Sequence, residues 1–120
     1  MSEKSQNKNK GSIGEDLACA YLESKGYEIL ERNFRSRFGE IDIVAKEGGT
    51  VCIVEVKWRK NSKFGSAADA VDAKKQLKLM RMAKEYYLRR NLVGPIRIDV
   101  VAIDGDGQSI NLIRNAVFEY

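Results

Sequence analysis

Apolar and β-branched residues fill two short segments near the middle of the chain, residues 39–45 and 51–58. Residues 46–50 lie between them and include Gly48 and Gly49, which favour a tight turn. The pattern therefore predicts a β-hairpin. Because nearly all residues in both arms are apolar, we expect both faces of this hairpin to be buried.

A second pattern, with apolar residues three or four positions apart, predicts a helix that starts near Ser12. Ser12 and Glu15 have the spacing of a capping box, and Gly26 is typical of a helix end. The apolar face that we expect consists of Ile13, Leu17, Ala18, Tyr21 and Leu22. Residues 27–33 then form a strand, which leads into the hairpin.

After the hairpin, Asp72 is the predicted N-cap of a long helix that reaches about Arg90. We expect its core stripe to consist of Leu77, Met80, Ala83 and Tyr87. Residues 96–103 alternate as a strand, 104–107 form a turn, and 109–113 are its hairpin partner. Residues 115–120 are expected to pack Val117 and Phe118 on the core. The simplest architecture is an α/β fold, with a mixed sheet of about five strands flanked by helices.

The totals limit the chemistry that the protein can perform. The 120 residues fit one domain, at 11–120, preceded by a disordered polar tail at 1–10. Histidine is absent, which excludes catalytic triads and histidine-bound zinc and leaves oxygen ligands for a metal such as Mg²⁺, Mn²⁺ or Ca²⁺. Cys19 and Cys52 are too far apart for a zinc motif and are expected as free thiols. No segment reads as a signal peptide or membrane span, so we expect a cytoplasmic protein.

Three charged residues lie inside the predicted hairpin: Asp42, Glu55 and Lys57. Glu55 and Lys57 share a strand face, roughly 7 Å apart, and Asp42 joins them if it pairs opposite Glu55. Two facing carboxylates repel each other, and burial makes them costly unless they are paired or bind a cation. Two interpretations stay open on these grounds: a buried ion network, or a metal site.

The same residues resemble the PD-(D/E)XK nuclease signature, with Asp42 on the first arm and Glu55-Val56-Lys57 on the second. Ile41 stands where that signature has proline. Over residues 11–118 the chain resembles the YraN-like family of uncharacterised bacterial proteins. The segments that carry this second resemblance are residues 14–18, 33–35, 39–42, 54–57, 99–103 and 115–116.

These resemblances imply a restriction-endonuclease-like fold and an Mg²⁺ or Mn²⁺ site for DNA cleavage. Asp42, Glu55 and the Val56 carbonyl would hold the metal, and Lys57 would orient or deprotonate a water or stabilise the transition state. Glu15 resembles a further acidic ligand of archaeal-type Holliday-junction resolvases, although a helix cap also explains it. Gln76 resembles a glutamine that faces the site in related nucleases, although an exposed helix position explains it equally well. Asp99 is expected to be structural, supporting Lys57 or a backbone turn.

The basic residues are concentrated around this predicted site, and the net charge of +4 favours an anionic partner. We expect the phosphate contacts to come from Arg35, Arg37, Arg59, Lys60, Lys63, Lys74 and Lys75. The resulting hypothesis is a metal-dependent endonuclease for DNA, branched or single-stranded, and a homodimer by analogy with junction resolvases. The alternatives are a non-catalytic nucleic-acid-binding or adaptor protein on the same fold, and a structural scaffold for protein partners.

Overall fold

The computed structural model of the chain describes residues 10–59 and 72–116, and the side chains from Ser12 onward. Two helices and five strands lie within these ranges. Their order is α1 (Lys10–Ser24), β1 (Glu28–Ser36), β2 (Gly39–Glu47), β3 (Thr50–Arg59), α2 (Ala73–Arg89), β4 (Ile96–Asp104) and β5 (Ser109–Ile113). Predictions for the tail at 1–9, for Lys60 and Lys63, and for Val117 and Phe118 lie outside the described residues.

The five strands form one sheet in the order β1-β2-β3-β4-β5. Neighbouring strands are antiparallel, except that β3 and β4 run parallel because the chain crosses over through α2 between them. The predicted α/β class, with a mixed five-stranded sheet and helices, is therefore confirmed. Both predicted hairpins are present, with β2 and β3 joined at Gly48 and Gly49.

Each face of the sheet is covered by one helix, so β2 and β3 are buried on both sides, as predicted. On one face, Ala18 and Leu22 of α1 pack with Ile43, Val54 and Val101. On the other face, α2 packs on a cluster that includes Phe34, Ile41, Val44, Ile53 and Ile98. In the described residues no helix is long and apolar enough to cross a membrane.

Helix α1 begins at Lys10, so the predicted capping box is wrong: Ser12 and Glu15 lie within the helix. Ile13, which we expected in the core, is 41% exposed. The predicted helix end is confirmed. Gly26 has φ of 92°, and the Tyr27 backbone N–H donates to the Leu22 carbonyl.

Helix α2 has the predicted N-cap, because the Asp72 carboxylate accepts a hydrogen bond from the Lys75 backbone N–H at 2.9 Å. Its predicted core face is right at Ala83, with Met80 packed at the edge of the core, but the buried face as a whole is rotated by about a quarter of a turn. The residues buried on α2 are Leu79, Met82, Ala83 and Tyr86. Leu77, which the apolar spacing placed in the core, is 49% exposed. The helix has more apolar positions than one buried stripe uses, and packing on Phe34 and Ile41 selects which of them are covered.

The corrected helix face predicts different effects for two leucines on α2. Leu79→Ala should lower the free energy of unfolding by about 2–5 kcal/mol, because it leaves a cavity in the core. Leu77→Ala removes the same atoms from a half-exposed position and should change stability by less than about 1 kcal/mol. Urea denaturation of both variants measures this. Equal losses would contradict the assignment of the buried face.

Candidate functional site

The hairpin of β2 and β3 brings Asp42 and Glu55 together. The two strands pair from Glu47 opposite Thr50 to Ile43 opposite Val54, and this register continued by one step places Asp42 opposite Glu55. Alternation along β2 breaks at this point. Ile41 packs in the cluster under α2, whereas Ile43, two residues later, packs in the cluster under α1. Asp42 therefore lies at a local twist where the backbone pairing with β3 has ended.

The Asp42 carboxylate accepts a hydrogen bond from β3 where the backbone pairing between β2 and β3 has ended. Its Oδ2 accepts a hydrogen bond from the Val56 backbone N–H at 2.8 Å. If the strand pairing had continued, the backbone of Ile41 would lie opposite Val56 instead. Burial and then the charge of Glu55 raise the pKa of Asp42 to about 7, against the lowering effect of the Val56 N–H. Near neutral pH the Asp42 carboxyl group is therefore divided between its protonated and ionised forms.

Glu55 is 4% exposed and is held by two lysines. The Lys57 ammonium lies 3.5 Å from its Oε2, and the Lys75 ammonium lies 3.0 Å from the same atom. The prediction that Asp42, Glu55 and Lys57 lie together is confirmed by this geometry. Lys75 was predicted only as a phosphate contact. The contact of Lys75 with Glu55 adds to that prediction. It depends on where the first turn of α2 packs, which is not visible in the sequence.

Glu15 lies beside this pair and is held by other residues. The Asn33 side-chain amide donates to both of its carboxylate oxygens, at 3.0 and 3.2 Å, and Arg32 lies 3.4 Å away. The same amide donates to Glu40 at 3.2 Å. The charge of Glu15 contributes to the raised pKa of Asp42, so Glu15 faces the site from α1. Within residues 10–59 and 72–116, no three acidic or thiol side chains are grouped closely enough to hold a metal ion.

Asn33 is a residue of this arrangement that we did not predict. Its φ of 58° is in the left-handed region, which asparagine tolerates better than most residues. The sequence signals for it are an asparagine within β1, just before Phe34, and its place in residues 33–35, one of the segments that carry the family resemblance.

The predicted phosphate contacts that the structure describes differ in their surroundings. The side chains of Arg35 and Arg37 are 87% and 84% exposed, and they lie 3.8 Å from Glu40 and Glu85 respectively. Lys74 is exposed on the first turn of α2, and Arg59 is half-buried at the end of β3. Gln76, the predicted supporting residue, is half-buried on the same turn as Lys75.

Asp99 is structural, as predicted, and of its two expected partners it has the backbone turn, at Asn115, and not Lys57. It is fully buried and accepts hydrogen bonds from the Tyr27 hydroxyl at 2.8 Å, the Arg97 guanidinium at 2.8 and 2.9 Å, and the Asn115 backbone N–H at 2.9 Å. Arg97 also pairs with Glu47, next to the turn of the central hairpin. Lys57, the other partner that we expected, lies towards the other end of β3.

The residues around Asp42 form a suitable set of donors for a hard divalent cation. Two carboxylates face each other, and the Val56 N–H points to the β2 side. In a strand the carbonyl of the same residue points to that side too, which adds a third oxygen. A cation there would relieve the repulsion that raises the pKa of Asp42, and oxygen donors are those that Mg²⁺ and Mn²⁺ prefer.

The fold and the site define an α/β protein with a facing pair of carboxylates, one half-buried and one buried, flanked by lysines at the open end of a β-hairpin. The chain belongs to the Uncharacterised protein family UPF0102, which it matches over residues 14–103. The membership that we predicted from the YraN-like motifs is therefore confirmed. Glu15, Asp42, Glu55, Lys57 and Lys75 all lie within the matched span.

Curated relatives cover most of the chain. The UPF0102 protein of Persephonella marina is 47% identical over 108 residues, which is 89% of this chain and 91% of the relative. The UPF0102 protein of Nitrosomonas europaea is 45% identical over 112 residues, 92% of this chain and 95% of the relative. That of Neisseria gonorrhoeae is 46% identical over 102 residues, 83% and 88% of the two chains.

The raised pKa of Asp42 predicts how its removal affects stability at different pH values. As pH rises from 3.8 to about 7, Asp42 ionises in the unfolded chain but stays largely protonated in the fold, so its burial lowers the free energy of unfolding. Asp42→Asn keeps an oxygen for the Val56 N–H and removes this penalty. It should stabilise the protein by about 2–4 kcal/mol at pH 8, and by progressively less towards pH 4.

Thermal melts of Asp42→Asn and wild type between pH 4 and pH 8 measure this difference. Asp106→Asn, in the exposed turn between β4 and β5, is the matched control and should follow wild type at every pH. A variant Asp42→Asn that is less stable than wild type at pH 8 would contradict the assigned repulsion.

Proposed function

We propose that the protein is an endonuclease that hydrolyses DNA phosphodiester bonds with Mg²⁺ or Mn²⁺. The observation that carries the proposal is the facing pair of the half-buried Asp42 and the buried Glu55, with Lys57 on the same side. Such a pair weakens the fold, and a site for a cation gives a reason to keep it. The similarity of these residues to the PD-(D/E)XK signature supports the same function.

Asp42, Glu55 and the Val56 carbonyl would hold the metal. When bound, the metal lowers the pKa of a water and neutralises charge on the phosphate. Hydrolysis joins the oxygen of a water to phosphorus and breaks one ester bond, and the departing oxygen takes up a proton. Lys57 is placed to hold the attacking water or to donate to the phosphate oxygens. Glu15, fixed by Asn33, would add negative charge from α1, and Gln76 would support the site from α2.

The charges around the site fit a DNA strand. Arg35, Arg37 and Lys74 present exposed cations within the described residues, and they would contact phosphates without reading sequence. The Lys75 ammonium forms an ion pair with a carboxylate oxygen of Glu55 at 3.0 Å. In the proposed enzyme Lys75 would leave Glu55 for the phosphate when the metal binds, and its length and flexibility permit this.

The contact between Lys75 and Glu55 also favours a second candidate function. Two lysines balance Glu55 without any metal, as in the buried ion network that the sequence left open. A protein of this kind would bind nucleic acid through its basic surface and cleave nothing. Binding of a divalent cation at Asp42 distinguishes the two candidates.

Mn²⁺ should raise the melting temperature of the wild-type protein at pH 8, because a ligand that binds only the folded state stabilises it. Asp42→Asn should lose this response, and Asp106→Asn should keep it. Differential scanning calorimetry across a range of Mn²⁺ concentrations provides the measurement. A wild-type melting temperature that is indifferent to Mn²⁺ and Mg²⁺ would reject the metal site and leave the non-catalytic candidate.

Cleavage should depend on Lys57. On linear, flapped and four-way DNA substrates, Lys57→Ala should cut about 10²–10⁴-fold more slowly than wild type. Lys46→Ala, an exposed lysine near the other end of the same hairpin, is the matched control and should cut at the wild-type rate. DNA affinity of all three proteins should fall steeply with salt. Equal cleavage by wild type and Lys57→Ala would identify a contaminating nuclease and count against the proposal.

A further inference from the structure

The turn between β1 and β2 carries an exposed aromatic side chain, Phe38, which is 42% exposed. The turn is fixed by the rest of the fold. The Arg37 backbone N–H donates to the Glu85 carboxylate at 3.0 Å, and the Phe38 backbone N–H donates to the Ser36 hydroxyl at 3.1 Å. The position of the ring is therefore set by β1 and α2, although the ring itself is half in solvent.

Phe38 lies on the wall of a trough of about 660 Å³ between this turn and the first turns of α2. The trough is lined by Phe38, Asp72, Lys74, Lys75, Leu77, Lys78 and Arg81. Lys75 is the residue whose ammonium contacts Glu55, so one side chain belongs both to the trough and to the candidate site.

The trough is strongly cationic. Four of its lining residues are basic, and its one acid, Asp72, is committed to capping α2. The Arg81 guanidinium lies 5.9 Å from the centre of the Phe38 ring. A second trough of about 650 Å³ shares Phe38 and Arg81 and adds Arg37, Lys84 and Arg89, with one acid, Glu85, which pairs with Arg37 and Arg89. Phe38 therefore stands between two cationic depressions that run along α2.

We infer that Phe38 stacks on an unpaired nucleobase, and that the basic residues of α2 hold the backbone of the same DNA strand. An exposed ring between cations is the combination that binds single strands without sequence preference. In a duplex the base faces are covered by their neighbours, so only an unpaired segment offers a face to Phe38. The inference rests on the proposed function and narrows its substrate to single-stranded DNA or DNA with an unpaired region.

The same charge argues against a second copy of the chain as the occupant. Two copies that met through this surface would bring Lys74, Lys78 and Arg81 of each against those of the other, and like charges repel. A surface cation–π contact such as that between Phe38 and Arg81 stabilises a fold only weakly, which is a weak reason to expose a phenylalanine.

The test is binding of a thymine oligonucleotide that contains one 2-aminopurine, in EDTA at low salt, with a matched duplex for comparison. Phe38→Ala should weaken binding of the single strand about 5- to 100-fold, as loss of one stacked base does. Affinity for the duplex should change less than about twofold. Phe38→Trp should restore single-strand affinity. Quenching of the 2-aminopurine fluorescence should occur with wild type and be lost in Phe38→Ala.

Leu30→Ala is the matched control, because Leu30 is also 42% exposed and lies on β1; it should bind as wild type does. Thermal melts confirm that the variants are folded. If wild type binds the single strand and Phe38→Ala binds it equally, or if both DNA forms are weakened alike, the stacking inference is wrong and the nuclease proposal stands. If wild type binds no DNA, the proposed function itself fails. If sedimentation shows that wild type is a dimer and that Phe38→Ala is a monomer, the surface serves self-association and the inference is overturned.

Discussion

Two carboxylates, the half-buried Asp42 and the buried Glu55, face each other at the end of the central hairpin, and the other residues of the site offset their repulsion. Asp42 is compensated by the Val56 backbone N–H and by a raised pKa, which lets it hold a proton near neutral pH. Glu55 is compensated by Lys57 on its own strand and by Lys75 on α2. Because charge is costly to bury, each of these contacts limits how β2, β3 and α2 are placed.

A second polar cluster stabilises the opposite end of the sheet. Asp99 joins β4 to Tyr27 and to the Asn115 backbone, and Arg97 joins it to Glu47 beside the hairpin turn. Among the described residues, every buried side-chain nitrogen or oxygen has a hydrogen-bond partner. The end at Asp99 is therefore closed by complementary charges, whereas the end at Asp42 keeps two acids together. This contrast is why the end at Asp42, and not the end at Asp99, is the candidate for chemistry.

Local sequence patterns were sufficient to predict the helices and strands, but they were insufficient to predict which face of each helix is buried. The apolar, β-branched hairpin arms, the glycines between them and the cap at Asp72 are signals that each lie within a few residues, and all were confirmed. The buried face of α2 was wrong, because Leu77 and Leu79 are equally apolar and the choice between them is made by Phe34 and Ile41. The capping box at Ser12 was wrong because the helix continues to Lys10, and Glu15 finds a better partner in Asn33.

The sequence by itself determined the family, the strand order of the central hairpin and the meeting of Asp42, Glu55 and Lys57. The short turn sets the register that brings Asp42 opposite Glu55, and strand parity along β3 puts Lys57 on the same face as Glu55. Only the tertiary structure decided that Lys75 reaches Glu55, that Asn33 holds Glu15 beside the pair, and that Phe38 stands in a cationic trough. Each of these contacts joins elements that are distant in the chain, and their distances depend on how α1 and α2 pack on the two faces of the sheet.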